Sequence, residues 1–274
     1  TIDVAGSSRT YFVYAPATES AEPRPLVVAL HRFAQTGPAM ARMTGFNAIA
    51  DREGFIVAYP NGKGRAFDSF PEDGGADIAF IPAMIDAIAA EFPVDQTRIY
   101  LTGASNGGTM AYRLACETDG LFAAVAPVMA ALPVETGESC AFDAAPPMLI
   151  MHGTADPVIP YDASSIEGPP GRVRPVVPVA EAVALFAEGL GCPAEPVVME
   201  LDDADPDDGA VTTVESYGPC EGGGEVVAYI VEGGGHTWPG GKERFPRFIV
   251  GVKTRDFDAS EAIWDFFSRH ALAE

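Results

Sequence analysis

Positive charge is scarce in this chain: 17 lysines and arginines stand against 39 aspartates and glutamates in 274 residues, a formal net charge of −22. Phosphate binding needs clustered cations, so this balance argues against nucleic acid as a partner and favours solubility. Long apolar runs are also missing. The longest nearly apolar stretch, 121–134, is broken by Pro127 and Pro133 and falls short of the roughly 18 residues a membrane span requires. No cationic start leads into an apolar stretch, and the chain opens at Thr1 without a methionine, as a processed or trimmed chain would. Cysteine is limited to Cys116, Cys140, Cys192 and Cys220, with neither C-x-x-C spacing nor nearby histidines in ligand-like arrangement. That excludes the usual zinc patterns, and no metal site is expected. Two disulfides are the better reading of an even count, with three pairings open, and they point to an oxidising compartment, secreted or periplasmic. The acidic stretch 202–208 has its glycine at 209 and no closing glutamate, so it reads as a solvated turn rather than a calcium loop.

What is present is ordinary globular composition, 47% hydrophobic and 20% charged, enough to close one core as a single domain over 1–274. A homodimer is compatible with it. Segments 11–14, 26–30, 55–59, 99–102, 123–128, 148–151 and 226–231 read as strands, several of them continuous apolar runs like strands buried on both faces. Between them, 39–52, 78–92, 107–116, 179–190 and 260–271 repeat apolar residues at helical spacing, with Asp77 and Ser260 as candidate N-caps. Alternation of this kind predicts a mostly parallel central sheet flanked by helices. Gly- and Pro-rich loops fill 61–75, 157–178 and 237–254, and loops at the carboxyl ends of such strands carry the chemistry.

One of these strands runs through Ile99-Tyr-Leu-Thr into Gly103-Ala-Ser-Asn-Gly, followed at once by a helical pattern. A G-x-S-x-G in this context keeps side chains away from an abrupt strand-to-helix turn that exposes the serine hydroxyl, which makes Ser105 the candidate nucleophile of an α/β-hydrolase fold. Serine needs a base. His236, in Gly233-Gly-Gly-His-Thr-Trp-Pro after the 226–231 strand, meets the order Ser, Asp, His. His31 and His152 sit at strand ends, where backbone bonding is the commoner role, and His270 falls on the last helix. The orienting carboxylate should follow a strand between the two, which selects Asp156 in His152-Gly-Thr-Ala-Asp-Pro, with Asp162 as competitor. Oxyanion donors should be the amide of Asn106 and that of Arg32 or Phe33, in the loop after strand 26–30, with Gln35 holding the loop. Such a triad supplies nucleophile, base and electrostatics without a cofactor.

Together these motifs resemble the family of polyhydroxybutyrate depolymerase-like esterases, which also includes feruloyl and acetylxylan esterases and poly(aspartic acid) hydrolases. The resemblance runs from about Pro25 to the C-terminus through Ala29-Leu-His with Gln35-Thr, Asn47-Ala-Ile-Ala-Asp-Arg-Glu-Gly-Phe, Tyr59-Pro-Asn-Gly, the Ser105 elbow, His152-Gly-Thr-Ala-Asp, Gly233-Gly-Gly-His-Thr-Trp-Pro-Gly-Gly and Asp256-Phe-Asp-Ala. It implies export, a Trp238 wall beside His236, and the bridges Cys116 with Cys140 and Cys192 with Cys220. The family's oxyanion loop usually has glycine directly after the histidine, whereas Arg32 stands here. Arg32 therefore either reshapes the loop or offers substrate a cation.

The four loops expected at the catalytic face, 31–36, 60–76, 157–177 and 237–258, hold ten basic and eight acidic residues, a net of +2 against −24 for the rest. Charges there are felt by a bound chain within about 8 Å at physiological salt. The leading expectation is hydrolysis of acyl bonds, amide or ester, in an anionic polymer, poly(aspartic acid) fitting best. Arg32, Trp238, Lys242, Arg244, Arg172 and Arg174 would then contact substrate. The alternatives are an esterase on feruloylated or acetylated polysaccharide or on hydroxybutyrate oligomers, and a polymer-binding module without catalysis.

Overall fold

The computed structural model describes residues 1–17, 22–168, 171–243 and 245–273. In chain order the strands are β1 (Ile2–Val4), β2 (Ser7–Arg9), β3 (Tyr11–Tyr14), β4 (Arg24–Leu30), β5 (Ile56–Pro60), β6 (Val94–Ala104), β7 (Ala124–Val128), β8 (Leu132–Pro133), β9 (Met148–Gly153), β10 (Ser165–Gly168), β11 (Arg172–Val177), β12 (Val197–Glu200), β13 (Val211–Tyr217) and β14 (Val226–Glu232). The helices are α1 (Gly37–Thr44), α2 (Phe46–Glu53), α3 (Ala76–Ala89), α4 (Asn106–Glu117), α5 (Val134–Ser139), α6 (Val179–Gly189), α7 (Arg247–Val250) and α8 (Ala259–Phe267).

Nine strands form one sheet in the order β12-β13-β14-β9-β7-β6-β4-β5-β3. From β14 to β5 neighbours run parallel, while β3, β13 and β12 pair antiparallel at the two edges. Strand period two sorts the apolar residues of β4 onto both faces. Leu26, Val28 and Leu30 join Ile81 and Met84 of α3, Met110 of α4 and Phe186 of α6 in one core layer. Val27 and Ala29 face Met40 of α1, Phe46 and Ile49 of α2 and Phe267 of α8 in the other. A sheet covered on both faces explains why its central strands are nearly all apolar.

Several local readings are corrected. The helix expected over 39–52 is two helices, because Gly45 turns to φ 70°, caps α1 with its N–H on Ala41 and starts α2. Asp77 is no cap: it is buried inside α3, where it receives Arg9 and the amide of Asp68. Ser260 is likewise inside α8, whose N-cap is Asp258, accepting from the amides of Ser260 and Glu261. The expected loop 157–178 contains the β10–β11 hairpin, which adds β8 to make a small three-stranded sheet beside the catalytic end. The loop 237–254 contains the short α7. Strands β12 and β13 were not expected, whereas the acidic turn expected over 202–208 does lie between them. Cys116 is bridged to Cys140 and Cys192 to Cys220. Among the described residues no helix is long and apolar enough to cross a membrane.

Candidate active site

Ser105 sits between the last residue of β6 and the first of α4 with φ 53° and ψ −119°, a conformation that costs a non-glycine residue energy and persists only where the surroundings impose it. They do. A Cβ at Gly103 would lie 2.2 Å from the Gly107 carbonyl oxygen, and one at Gly107 would lie 2.5 Å from that of Leu30. Only bare backbone lets α4 approach β4 and β6 this closely, so the serine is lifted clear of the sheet at the start of a helix.

His236 reaches the serine from the loop after β14. Its Nε2 lies 2.9 Å from Ser105 Oγ and its Nδ1 2.7 Å from Asp156 Oδ2. The backbone beneath is fixed: the His236 amide donates to Val250, and that of Gly235 to Val252. Asp156, on the turn after β9, accepts from the amides of Val158 (2.7 Å) and Ile159 (2.8 Å) through Oδ1, which leaves Oδ2 for the imidazole. A carboxylate acceptor makes Nδ1 the protonated nitrogen, so Nε2 carries its lone pair toward the serine hydroxyl. Asp162 is exposed and takes no part in this line.

Two of the remaining histidines, His31 and His152, bond the backbone. His31 is fully buried; its Nδ1–H donates to Arg32 O at 2.8 Å and its Nε2 accepts the Gly62 amide at 3.0 Å. His152 donates to Ile159 O. Burial holds both rings below the usual imidazole range. His270 follows α8, its Nε2 3.2 Å from Glu225.

In the loop after β4 the amides of Ala34 and Gln35 are spent on Arg65 O and Arg32 O, whereas those of Arg32 and Phe33 have no such backbone acceptor among the described residues, and Asn106 stands at the head of α4. The Asn106 side chain was not anticipated. Its Oδ1 accepts from Phe67 N, and its Nδ2 donates to Phe67 O and Ser69 Oγ. This clamps loop 66–70 to the elbow and builds one wall of a pocket of about 480 Å³ that opens at Ser105. Phe33, Phe67, Phe70, Val158, Ile159 and Ile166 make most of that pocket apolar, and Lys63, Asp68 and Glu167 are charged groups in its lining. A clustering of phenylalanines in a Gly-rich loop was the available signal.

The expected substrate cations fare differently. Arg32 turns away from the pocket, pairs with Glu243 at 2.7 Å and stacks on Phe245 at 4.0 Å. Burial draws the Arg32 guanidinium down and pushes the Glu243 carboxyl up. Its charge is matched within the protein, and it lines the cleft beside His236 rather than the pocket at Ser105. Arg174 lines the pocket, yet it is held bidentately by Asp73 at 2.6 and 2.7 Å and lies over Phe70. Arg172 is exposed on the β10–β11 hairpin. Lys242 is exposed as well, its amide on Met43 O and its ammonium beside Gly45. Trp238 does lie beside His236, but it is a core residue, edge-on to Phe46 and donating to Ser260 Oγ. Arg244 lies outside the described residues.

A mostly parallel sheet with a serine, a histidine and an aspartate aligned at the carboxyl ends of its strands defines the α/β-hydrolase class. Within that class the chain belongs to the Esterase PHB depolymerase family, whose model matches residues 9–183, a family of hydrolases acting on ester bonds. It is 34% identical to the putative esterase NocK of Nocardia uniformis subsp. tsuyamanensis over 280 residues, covering 96% of this chain and 80% of that protein. It is 28% identical over 234 residues to the bifunctional acetylxylan esterase/xylanase XynS20E of Neocallimastix patriciarum, of whose length the match spans 31%. Among solved structures, the acetyl xylan esterase from Aspergillus awamori shares the fold over 94% of this chain and 93% of that one, with a TM-score of 0.65 and 17% identity.

Proposed function

We propose that this protein is an exported serine esterase whose preferred substrates carry a bulky, largely apolar acyl group. The observation behind it is the hydrogen-bonded line Ser105–His236–Asp156 at the mouth of an apolar pocket. Ser105 Oγ attacks the ester carbonyl as His236 Nε2 takes its proton. The amides of Asn106 and of Arg32 or Phe33 hold the oxyanion, and Asp156 steadies the imidazolium. His236 then returns the proton to the departing alcohol, and a water activated by the same imidazole releases the acid from Ser105. Two disulfides support an oxidising compartment.

Replacing Ser105 with alanine tests the mechanism: hydrolysis of p-nitrophenyl butyrate should fall by at least about 10⁴-fold with the unfolding midpoint unchanged, and retention within about tenfold would overturn it. A wild-type protein inert toward every ester would instead favour the binding-module reading. A second reading is acyl hydrolysis in an anionic polymer such as poly(aspartic acid), for which Lys63 in the pocket lining and the exposed Arg172 speak, and against which stand Asp68, Asp73 and Glu167 in the same lining. Cleavage of that polymer, weakened by salt while a neutral ester is unaffected, would select it.

A further inference from the structure

The serine has a second flank. Beside His236, and sharing no lining residue with the large pocket, lies a cleft of only about 50 Å³ whose walls include Arg32, Trp238, Glu243, Phe245 and Lys253. That volume holds a handful of waters. Among its walls is the Arg32–Glu243 pair, with side chains 11% and 23% exposed and the guanidinium 4.0 Å over the Phe245 ring. The pair joins the loop after β4 to the segment that carries His236 onward to α7. That segment has anchors of its own: Lys253 Nζ donates to the carbonyls of Gly241 and Glu243, and Val250 O holds the His236 amide.

Accepting the esterase reading above, on which this inference rests, the chemistry assigns the two flanks. The group that protonates the leaving oxygen must touch it, so the alcohol lies on the side of His236 and the acyl group extends away from it. The large pocket is lined by Ser105 and the small cleft by His236. We infer that the Arg32–Glu243 pair is a strap across the leaving-group side of the active site, and that it makes the enzyme select esters of small alcohols while the large pocket admits large acyl groups. Glu243 is the specificity-determining residue of this device. Removing its carboxylate frees the Arg32 side chain to swing outward, while Lys253 and Val250 keep the His236 segment in place.

The test uses two butanoate esters whose alcohols differ in bulk but hardly in acidity, ethyl and cyclohexylmethyl, with wild type, Glu243→Ala and Glu243→Gln. Wild type should prefer the ethyl ester in kcat/KM by about tenfold or more, Glu243→Ala should bring the two esters within about threefold, and Glu243→Gln, similar in volume but uncharged, should fall between. A strap that merely stabilised the fold would shift the unfolding midpoint and leave this ratio alone. An active wild type without the preference, or the wild-type ratio surviving in both variants, overturns the strap and leaves the esterase reading standing. Should Glu243→Ala fail to fold, the ratio in Glu243→Gln decides alone. A wild type inert toward both esters overturns the nucleophile assignment and the strap with it.

Discussion

The two flanks of Ser105 are built from different materials. On one side a roomy pocket of about 480 Å³ has mostly phenylalanine and aliphatic walls, with the Arg174–Asp73 pair set among them, and is bounded by the Asn106 clamp. On the other a narrow cleft is closed by an ion pair between distant loops. Apolar walls give way to many acyl shapes at little cost, since contact is non-directional. A partly desolvated ion pair has directional requirements, and a substrate that displaces it must compensate two charges. Shape tolerance on one side and rejection on the other follow from the roughly tenfold difference in volume and from how much of each wall is apolar.

The largest expected effect is one that treats both flanks alike. Asp156→Asn should keep the imidazole in place but favour the wrong tautomer, lowering kcat by about 10⁴-fold for every ester whatever its acyl or alcohol bulk. Steady-state kinetics across an ester series would show it, and a loss confined to bulky substrates would mean that Asp156 shapes a pocket instead. Next is Gly107→Ala, at the elbow the flanks share. Its Cβ would meet the backbone oxygens of Leu30 and His31 at 2.5 and 2.6 Å, and backbone cannot turn aside. A loss of about 3 kcal/mol or more in urea unfolding is expected.

A smaller change should sharpen the contrast. Asn106→Ala removes three hydrogen bonds on the acyl flank alone and leaves the part-buried Phe67 amide without its side-chain acceptor, a cost of about 1–2 kcal/mol. With the wall loosened, KM should rise more for a decanoate than for an acetate ester, whereas discrimination among alcohols should hold. Equal rises for both acyl lengths would place the clamp's role in the oxyanion amide rather than in the wall.

How much of this could be read beforehand depended on how local its physics was. The Ser105 elbow was legible because its sterics fall within a few residues, and Asp156 and His236 because each follows an apolar strand in a fixed order. The core strands were legible for the same reason. The destinations of the charges were not: counting cations over four loops gave no sign that Arg32 meets Glu243 or that Arg174 meets Asp73, because each partner arrives from a different loop. Strand β12 escaped because all four of its residues are exposed at the sheet edge, so no alternation marks it. The break at Gly45 escaped because glycine within an apolar repeat reads equally as helix interior or as cap.

The smallest expected effect concerns the histidines that share the site's neighbourhood without serving as its base. His31 bonds through both ring nitrogens, donating from Nδ1 to Arg32 O and accepting at Nε2 from Gly62. Its ring also lies 4.6 Å from that of Phe67, so it touches the oxyanion loop and the acyl wall together. A proton added at Nε2 would face the Gly62 N–H and break that bond. Burial already holds the His31 pKa below its ordinary 6.5, so as pH falls through that value the unfolded chain binds the proton first. The unfolded state then carries more protons than the folded one, and stability must fall with pH, by at most about 1.4 kcal/mol per unit for one histidine. The contribution is fully present above about pH 6.5 and is lost below it. His152, buried and lowered in the same direction, adds to the slope. Unfolding midpoints of wild type and His31→Gln from pH 8 to 5 isolate the first term, because the background of 39 acidic residues is common to both. Glutamine can still donate to Arg32 O and accept from Gly62 but does not titrate, so its curve should be flatter below pH 6.5. Superimposable slopes would show that His31 takes up its proton as readily in the folded protein as in the unfolded chain, and that the oxyanion loop does not depend on its neutral form.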